Sequence, residues 1–412
     1  MQSPTLCCST RYVAHAFCTV QSTAHPTCSP LERAALLLHL HLLCRHEPAA
    51  HRRRQWWQWW QWWQWWQWRR YSHQPWSSAA KGPRGPWRAS PRRRSSHEAA
   101  TAAKVSDMTS GVDVTVGVMD SGVDATHPDL NYAGGSSWSV PSIKKTWDVA
   151  NPDVDYYGHG THVAGVIGAR NNGRGIVGVA AGISLYSLKI LDADGAGSLS
   201  SSMDAISWVA SSSGGQARRI RVVNMSFSAY VDPASSDYQA TLDVFCAPFN
   251  DANNAGVALL AAAGNYASSY RGYLPASCPS VMAVTALDTS SNKPAVFSSW
   301  LPAAASTSDK GRVMAAPGTA VNSTISFAVE PSGYRQLSGT SSATPHVAGV
   351  AATCIKSGAC PAGSTGTQVY AVLQAAASER RTLIGRPAFG FPGDASSSRS
   401  GKYYGNLVWA KF

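Results

Sequence analysis

The chain has 412 residues, enough for two or three average domains or one large α/β domain with decoration, and it can bury a core. Its excess of Lys and Arg over Asp and Glu, 35 against 23, invites a nucleic-acid or membrane-surface reading. Residues 1–97 hold 14 of the basic side chains and only two acids, Glu32 and Glu47, so 35 less 14 and 23 less 2 leave 21 of each sign in residues 98–412, which excludes that reading for the larger part.

Residues 1–97 do not read as a folded domain. Ala34 to Cys44 (AALLLHLHLLC) is about as long as a signal-peptide apolar region, but it starts late and holds two histidines. The Arg- and Ser-rich, acid-poor composition suits an organelle transit peptide no better. Gln55 to Trp68 (QWWQWWQWWQWWQW) repeats every three residues, which matches neither the period of an amphipathic helix nor that of a strand. Trp beside Arg could stack on bases or lie in a membrane interface, so a nucleic-acid or membrane-binding arm is one alternative function. A translated nucleotide repeat or a faulty gene model accounts better for such regularity. Residues 69–97, rich in Pro, Ser and Arg, read as linker. No run of 18 apolar residues predicts a transmembrane helix.

From about residue 98 short apolar strands alternate with helical patterns, which predicts an α/β fold with a mostly parallel central sheet and helices on both faces. VTVGVMD (Val114 to Asp120) reads as a buried strand ending in an acid, at the place where open α/β sheets bind ligands, with Ser121-Gly122 as a turn. YGHGTHVAGVIGA (Tyr157 to Ala169) sets His159 between glycines at the start of a helix. ISLYSLKIL (Ile183 to Leu191) is a strand, followed through DADGAG by a helix over Leu199 to Ala210. RVVNMSFS (Arg221 to Ser228), VALLAAAGN (Val257 to Asn265), SVMAVTAL (Ser280 to Leu287) and VMAAPG (Val313 to Gly318) continue the strands. A serine turn at Ser341 then opens a helix, a second helix lies near Thr367 to Ala377, and NLVWA ends the chain as a strand.

Five of the nine cysteines lie in the first 97 residues, leaving Cys246, Cys278, Cys354 and Cys360. Of the three ways to pair four cysteines, Cys246 with Cys278 and Cys354 with Cys360 is favoured, giving an oxidising compartment; free buried thiols are the alternative. No CxxC or Cys/His spacing suggests zinc.

The chemistry gathers around GTSSATPHVAG, Gly339 to Gly349. Ser341 at a helix N-terminus would sit beside unshared N–H groups that favour developing negative charge. A serine hydroxyl is a weak nucleophile until a histidine base and an orienting carboxylate accompany it. Asp120, His159, Asn265 and Ser341 follow one another in the blocks DSGVDATHPDL, GHGTHVAGV, AAAGN and GTSSATPHVAG. Together these resemble the subtilisin family of serine proteases, whose blocks take the forms D-S/T-G, HGTH, AAGN and GTSxA. The similarity runs over most of residues 110–410, and four blocks in one order are far more specific than any single one.

The resemblance implies a subtilisin-like three-layer peptidase domain over residues 98–412, a monomer that hydrolyses extended polypeptide, with no cofactor required for the chemistry. Ser341 matches the nucleophile, His159 the base, Asp120 the carboxylate that orients it, and Asn265 the side-chain donor to the oxyanion. Ser226 and the stretch Ala262, Ala263 and Gly264 match the two edges that hold substrate backbone and line the specificity pocket. Leu191 and Gly195 to Gly197 match the strand that adds antiparallel to substrate, and Pro275 and Ala276 the pocket's far end. The further histidines, His127, His162 and His346, read as structural, since HxxH without a glutamate is not a zinc motif.

A structural calcium ion is implied by Asp129 and the loop RNNGRGI, through the Asp129 and Asn172 side chains and loop carbonyls at Arg170, Arg174 and Ile176. Two departures from the family stand out. Phe227-Ser228 replaces the usual glycine after NMS, which favours broad cleavage over cleavage after bulky aromatic residues. Residues 1–97 resemble neither the signal peptide nor the inhibitory propeptide of secreted members, although the extracellular or secretory compartment is the one implied. A catalytically silent relative kept as a binding module is the other alternative. Asn322 is a glycosylation acceptor if the chain is secreted, whereas Asn224 falls in a buried strand.

Overall fold

The computed structural model describes residues 112–140, 150–291, 293–383 and 401–410, all within a structural unit that takes in residues 89–412. The apolar segment, the Trp repeat and the boundary expected near residue 97 lie outside the described residues. In chain order the first strands are β1 (Thr115–Asp120), β2 (Tyr132–Ser137), β3 (Ser184–Lys189), β4 (Ile220–Met225), β5 (Ala229–Tyr230), β6 (Ala258–Ala262), β7 (Tyr273–Leu274) and β8 (Met282–Asp288). They are followed by β9 (Lys293–Pro294), β10 (Leu301–Pro302), β11 (Val313–Pro317), β12 (Val321–Thr324), β13 (Tyr334–Leu337), β14 (Lys402–Tyr403) and β15 (Asn406–Leu407). The helices are α1 (His159–Gly168), α2 (Leu199–Ala210), α3 (Tyr238–Asn254), α4 (Thr307–Lys310), α5 (Thr340–Lys356) and α6 (Gly366–Leu383).

The central sheet runs β15-β11-β8-β6-β4-β1-β3-β2 with every neighbouring pair parallel, and β9 adds antiparallel to β8. Every residue of β1 is buried, as expected of a strand covered on both faces. Successive side chains feed two cores. Val116 and Val118 of β1 and Leu260 of β6 meet Val163 and Ile167 of α1, Val347 of α5 and Leu373 of α6. Met119, Leu259 and Ala261 meet Ile206 of α2 and Phe245 and Phe249 of α3 on the other face. The expected helices on both faces are therefore present. β2, α3 and the β12–β13 hairpin have no counterpart in the sequence patterns.

Cys246 pairs with Cys278 and Cys354 with Cys360, with Cα separations of 5.4 and 5.1 Å. Each such crosslink typically stabilises a fold by about 2–4 kcal/mol. No helix among the described residues is long and apolar enough to cross a membrane. What positions the site is the parallel order: β6, β4, β1 and β3 are neighbours and end at Ala262, Met225, Asp120 and Lys189. Their following loops collect on one edge of the sheet. A cavity of about 350 Å³ beside Asp113, Thr115, Ser184 and Arg219 lies at the opposite ends of β1 and β3 and is not part of that edge.

Candidate active site

Asp120 is the last residue of β1 and is fully buried, and its Oδ1 accepts the Ser121 N–H at 2.8 Å. His159 is the first residue of α1, and its Nδ1 lies 2.9 Å from both Asp120 oxygens. Two carboxylate acceptors fix the proton on Nδ1, so Nε2 carries the lone pair. Burial works to lower the His159 pKa, but the Asp120 charge and hydrogen bond, with Asp155 behind them, outweigh it and raise the pKa above 6.5. The ring remains partly accessible, with 19% of the side chain exposed.

Ser341 stands in the first turn of α5, which packs on α1. Its N–H has no acceptor within the helix. Asn265 follows β6 and turns its Oδ1 to the Thr340 N–H (2.8 Å) and the Thr340 hydroxyl (2.9 Å). With Oδ1 accepting from Thr340, the amide's other atom, Nδ2, is its donor. Gly339 has extended backbone, so its lack of a side chain matters for space: a Cβ there would stand 2.7 Å from Ser341 Oγ and 3.2 Å from Asn265 Nδ2. Pro345 has no N–H for the Ser341 carbonyl, which instead accepts the Ser226 hydroxyl at 2.9 Å. Ser226 Oγ in turn accepts Asn224 Nδ2 at 2.9 Å. Asn224 is fully buried, as its strand position suggested, whereas Asn322 on β12 is exposed.

The other expected substrate residues lie around this edge. Leu191 follows β3, its N–H bonded to the Asp120 carbonyl at 3.2 Å. The tight turn from Asp192 to Ala196 presents Gly195, with Gly197 after it. Ala262, Ala263 and Gly264 continue β6, and the Gly264 N–H donates to Thr340 Oγ1 at 3.1 Å. Pairing of β5 with β7 brings the stretch after Ser226 beside the cis peptide at Pro275 and the buried Ala276. Phe227 is partly buried against the core. Sequence patterns missed the aromatic residues at this edge. Tyr157 packs against Gly195, its ring 6.2 Å from that of His159. Tyr266, next to Asn265, stacks on Tyr273 at 4.6 Å, and Tyr273 meets Tyr230 at 5.1 Å.

Among the described residues, the three other histidines serve the fold. His127 bonds the Gly333 carbonyl at 2.9 Å and stacks on Phe327. His162 bonds the Val321 carbonyl, and burial and the nearby His159 push its pKa down to about 3, so it stays neutral. His346 bonds the Ser342 carbonyl one turn back along α5.

At the loop expected to hold calcium, the side chains are turned toward one another. Asp129 and Asn172 do meet, but Asn172 turns its Nδ2 to Asp129 Oδ1 (2.8 Å), and its Oδ1 accepts the Arg174 N–H (3.0 Å). The Tyr334 hydroxyl donates to Asp129 Oδ2 at 2.6 Å. Burial, that hydrogen bond and the Asp129 charge push the Tyr334 pKa up to about 12, which keeps the hydroxyl a donor. The Arg170 N–H donates to the Asp129 carbonyl at 2.7 Å. Calcium takes six to eight oxygen lone pairs. A carboxylate already facing two donors does not fit it. Thermal unfolding is therefore expected at one Tm in calcium and in chelator, while Tyr334→Phe costs about 1–3 kcal/mol. A Tm that climbs with calcium would show that the ion displaces these bonds.

Comparison with known proteins identifies the family. The model of the subtilase family matches residues 111–399. Subtilisin E of Bacillus subtilis is 42% identical over 247 residues, 59% of this chain and 55% of that protein. A thermostable alkaline protease of Halalkalibacterium halodurans is 41% identical over 239 residues, 58% of this chain and 55% of that protein. A cold adapted subtilisin-like serine proteinase of known structure has a TM-score of 0.53 and 26% identity, over 74% of this chain and 91% of that one. The chain spans about half the length of the curated relatives it matches. On the strength of the family match over residues 111–399, the chain belongs to the subtilase family.

Proposed function

We propose that the chain is a serine endopeptidase that cleaves extended polypeptide through an acyl-enzyme. The observation that carries the reading is the Asp120 carboxylate set on Nδ1 of His159, which leaves Nε2 as a base. Ser341 Oγ attacks the scissile carbonyl carbon while its proton passes to His159 Nε2. Asp120 stabilises the resulting imidazolium. The tetrahedral oxyanion receives the Ser341 N–H and Asn265 Nδ2. Collapse breaks the C–N bond, and His159 returns the proton to the leaving amine. Water then repeats the sequence on the ester, giving the acid and restoring Ser341.

Substrate would lie as a strand along Leu191 and Gly195 to Gly197 on one side and Ala262 to Gly264 on the other. Every step uses groups of this chain, and no cofactor enters. The two disulfides favour an oxidising compartment, and so an extracellular or secretory enzyme. Turnover of peptide nitroanilides, with an initial burst from ester substrates, tests the reading; folded protein without turnover would contradict it. Asn265→Ala is expected to lower kcat by about 10²–10³ with KM little changed, a magnitude known from subtilisin and carried over here. A rise in KM with kcat unchanged would instead mean that Asn265 binds ground state and transition state alike.

A further inference from the structure

We propose that Asp155 is a positioning residue for His159, clamping the start of α1 to the turn after β1 so that the imidazole is held against Asp120. The inference rests on the peptidase reading above but concerns a residue to which that reading gives no part.

Helix α1 opens awkwardly. Its N-cap is Gly158, held at φ 87° with no side chain to accept the orphan N–H groups of the first turn. Asp155 supplies the missing acceptors from three residues upstream. Its Oδ1 accepts the Gly158 N–H at 2.7 Å and the Ser121 hydroxyl at 2.8 Å. Its Oδ2 accepts the Thr161 N–H at 2.8 Å and the Thr161 hydroxyl at 2.7 Å. Ser121 Oγ itself accepts the Gly160 N–H at 3.0 Å, and the Ser121 N–H donates to Asp120 Oδ1. The backbone on both sides of His159 is thus tied to one carboxylate, and through Ser121 the same network reaches Asp120. Four donors converge on two oxygens, so an amide at 155 would set its NH₂ against an N–H or hydroxyl that needs an acceptor.

Asp155 is fully buried, a costly place for a charge that serves only as a cap. Several charged or titratable groups face this region. On β3, Lys189 is also fully buried and donates Nζ to the Ser121 and Val154 carbonyls at 2.8 and 3.1 Å. Asp120 ends β1, and His162 on α1 is held neutral. Tyr157 lies in the connecting loop with Asp194 beyond it, and burial and the charges of Asp120, Asp155 and Asp194 keep it protonated. Asp124 donates its N–H to Thr161 Oγ1 at 3.0 Å. Burial raises the Asp155 pKa against its four hydrogen bonds. When ionised, its charge adds to that of Asp120 in favouring the imidazolium of His159.

A cap without a positioning role predicts that Asp155→Asn loses stability but leaves a folded site unchanged. The proposal predicts a lower His159 pKa, read by NMR titration of the imidazole in a Ser341→Ala background, and a kcat reduced about 10- to 10²-fold with KM unchanged in the active enzyme. Should Asp155→Asn fail to fold, Ser121→Ala keeps the carboxylate but cuts the link to Asp120; it is expected to lower kcat several-fold at constant KM. Unchanged pKa and kcat in folded Asp155→Asn, or unchanged kcat in Ser121→Ala, would overturn the proposal. Loss of the peptidase reading shows differently, as absence of turnover in the unsubstituted protein, and the NMR comparison does not depend on turnover.

Discussion

Ser341→Ala is expected to abolish peptide hydrolysis, lowering kcat by about 10⁶, a factor known from subtilisin and carried over here. The loss is confined to chemistry because the turn does not depend on the hydroxyl. Thr340 anchors it through Asn265 and Gly264, and the Ser341 carbonyl, which alanine retains, accepts Ser226. Melting temperature and KM for a peptide substrate are therefore expected to hold. Residual turnover within tenfold of the original would mean that another group attacks the carbonyl.

Asp120→Asn follows, with kcat lowered by about 10⁴, again a magnitude taken from serine proteases of this type. The Ser121 N–H requires an acceptor, so the asparagine oxygen keeps the Oδ1 place and Nδ2 takes that of Oδ2, 2.9 Å from His159 Nδ1. A donor there favours the tautomer with hydrogen on Nε2, which cannot receive the Ser341 proton. The pH profile carries a second signature. Activity needs neutral His159, and its pKa is raised, so kcat/KM in the original enzyme climbs through a midpoint above 6.5. Without the Asp120 charge, burial is left opposed only by Asp155, and the midpoint moves to lower pH. A midpoint that stays in place would remove Asp120 from the account of the shift.

Much of this arrangement is legible in the chain because its determinants are local. β1, β6 and β8 announce themselves as continuous apolar runs, and α2 spans Leu199–Ala210 as its pattern predicts. Asp120, His159, Asn265 and Ser341 each sit at or beside the end of a strand or helix, in a short block whose neighbours advertise it. The missed elements are those whose stability comes from partners. β2, YAGGSS, has no apolar period and forms by pairing with β3 at the sheet edge. Helix α3 contains Pro248 and buries only a narrow stripe around Phe245 and Phe249, so its pattern is faint.

The same division runs through the site. Tyr334 is 205 residues from Asp129, yet its hydroxyl turns a sequence pattern suited to calcium into a hydrogen-bonded cluster. Asn172 is in the expected place, and only the direction of its amide departs from expectation. The stack of Tyr266, Tyr273 and Tyr230 depends on β5 meeting β7, which no short motif contains. Asp155 was equally silent, since its importance arises from Ser121, 34 residues away.

The central claim is that His159, oriented by Asp120, activates Ser341 as a nucleophile. A fluorophosphonate probe tests it most directly, because phosphonylation requires an activated serine and no knowledge of the natural substrate. The account predicts one adduct per chain, located on Ser341 by peptide mass mapping and absent in Ser341→Ala. Folded protein that takes up no probe, or takes it up at another residue, would contradict it.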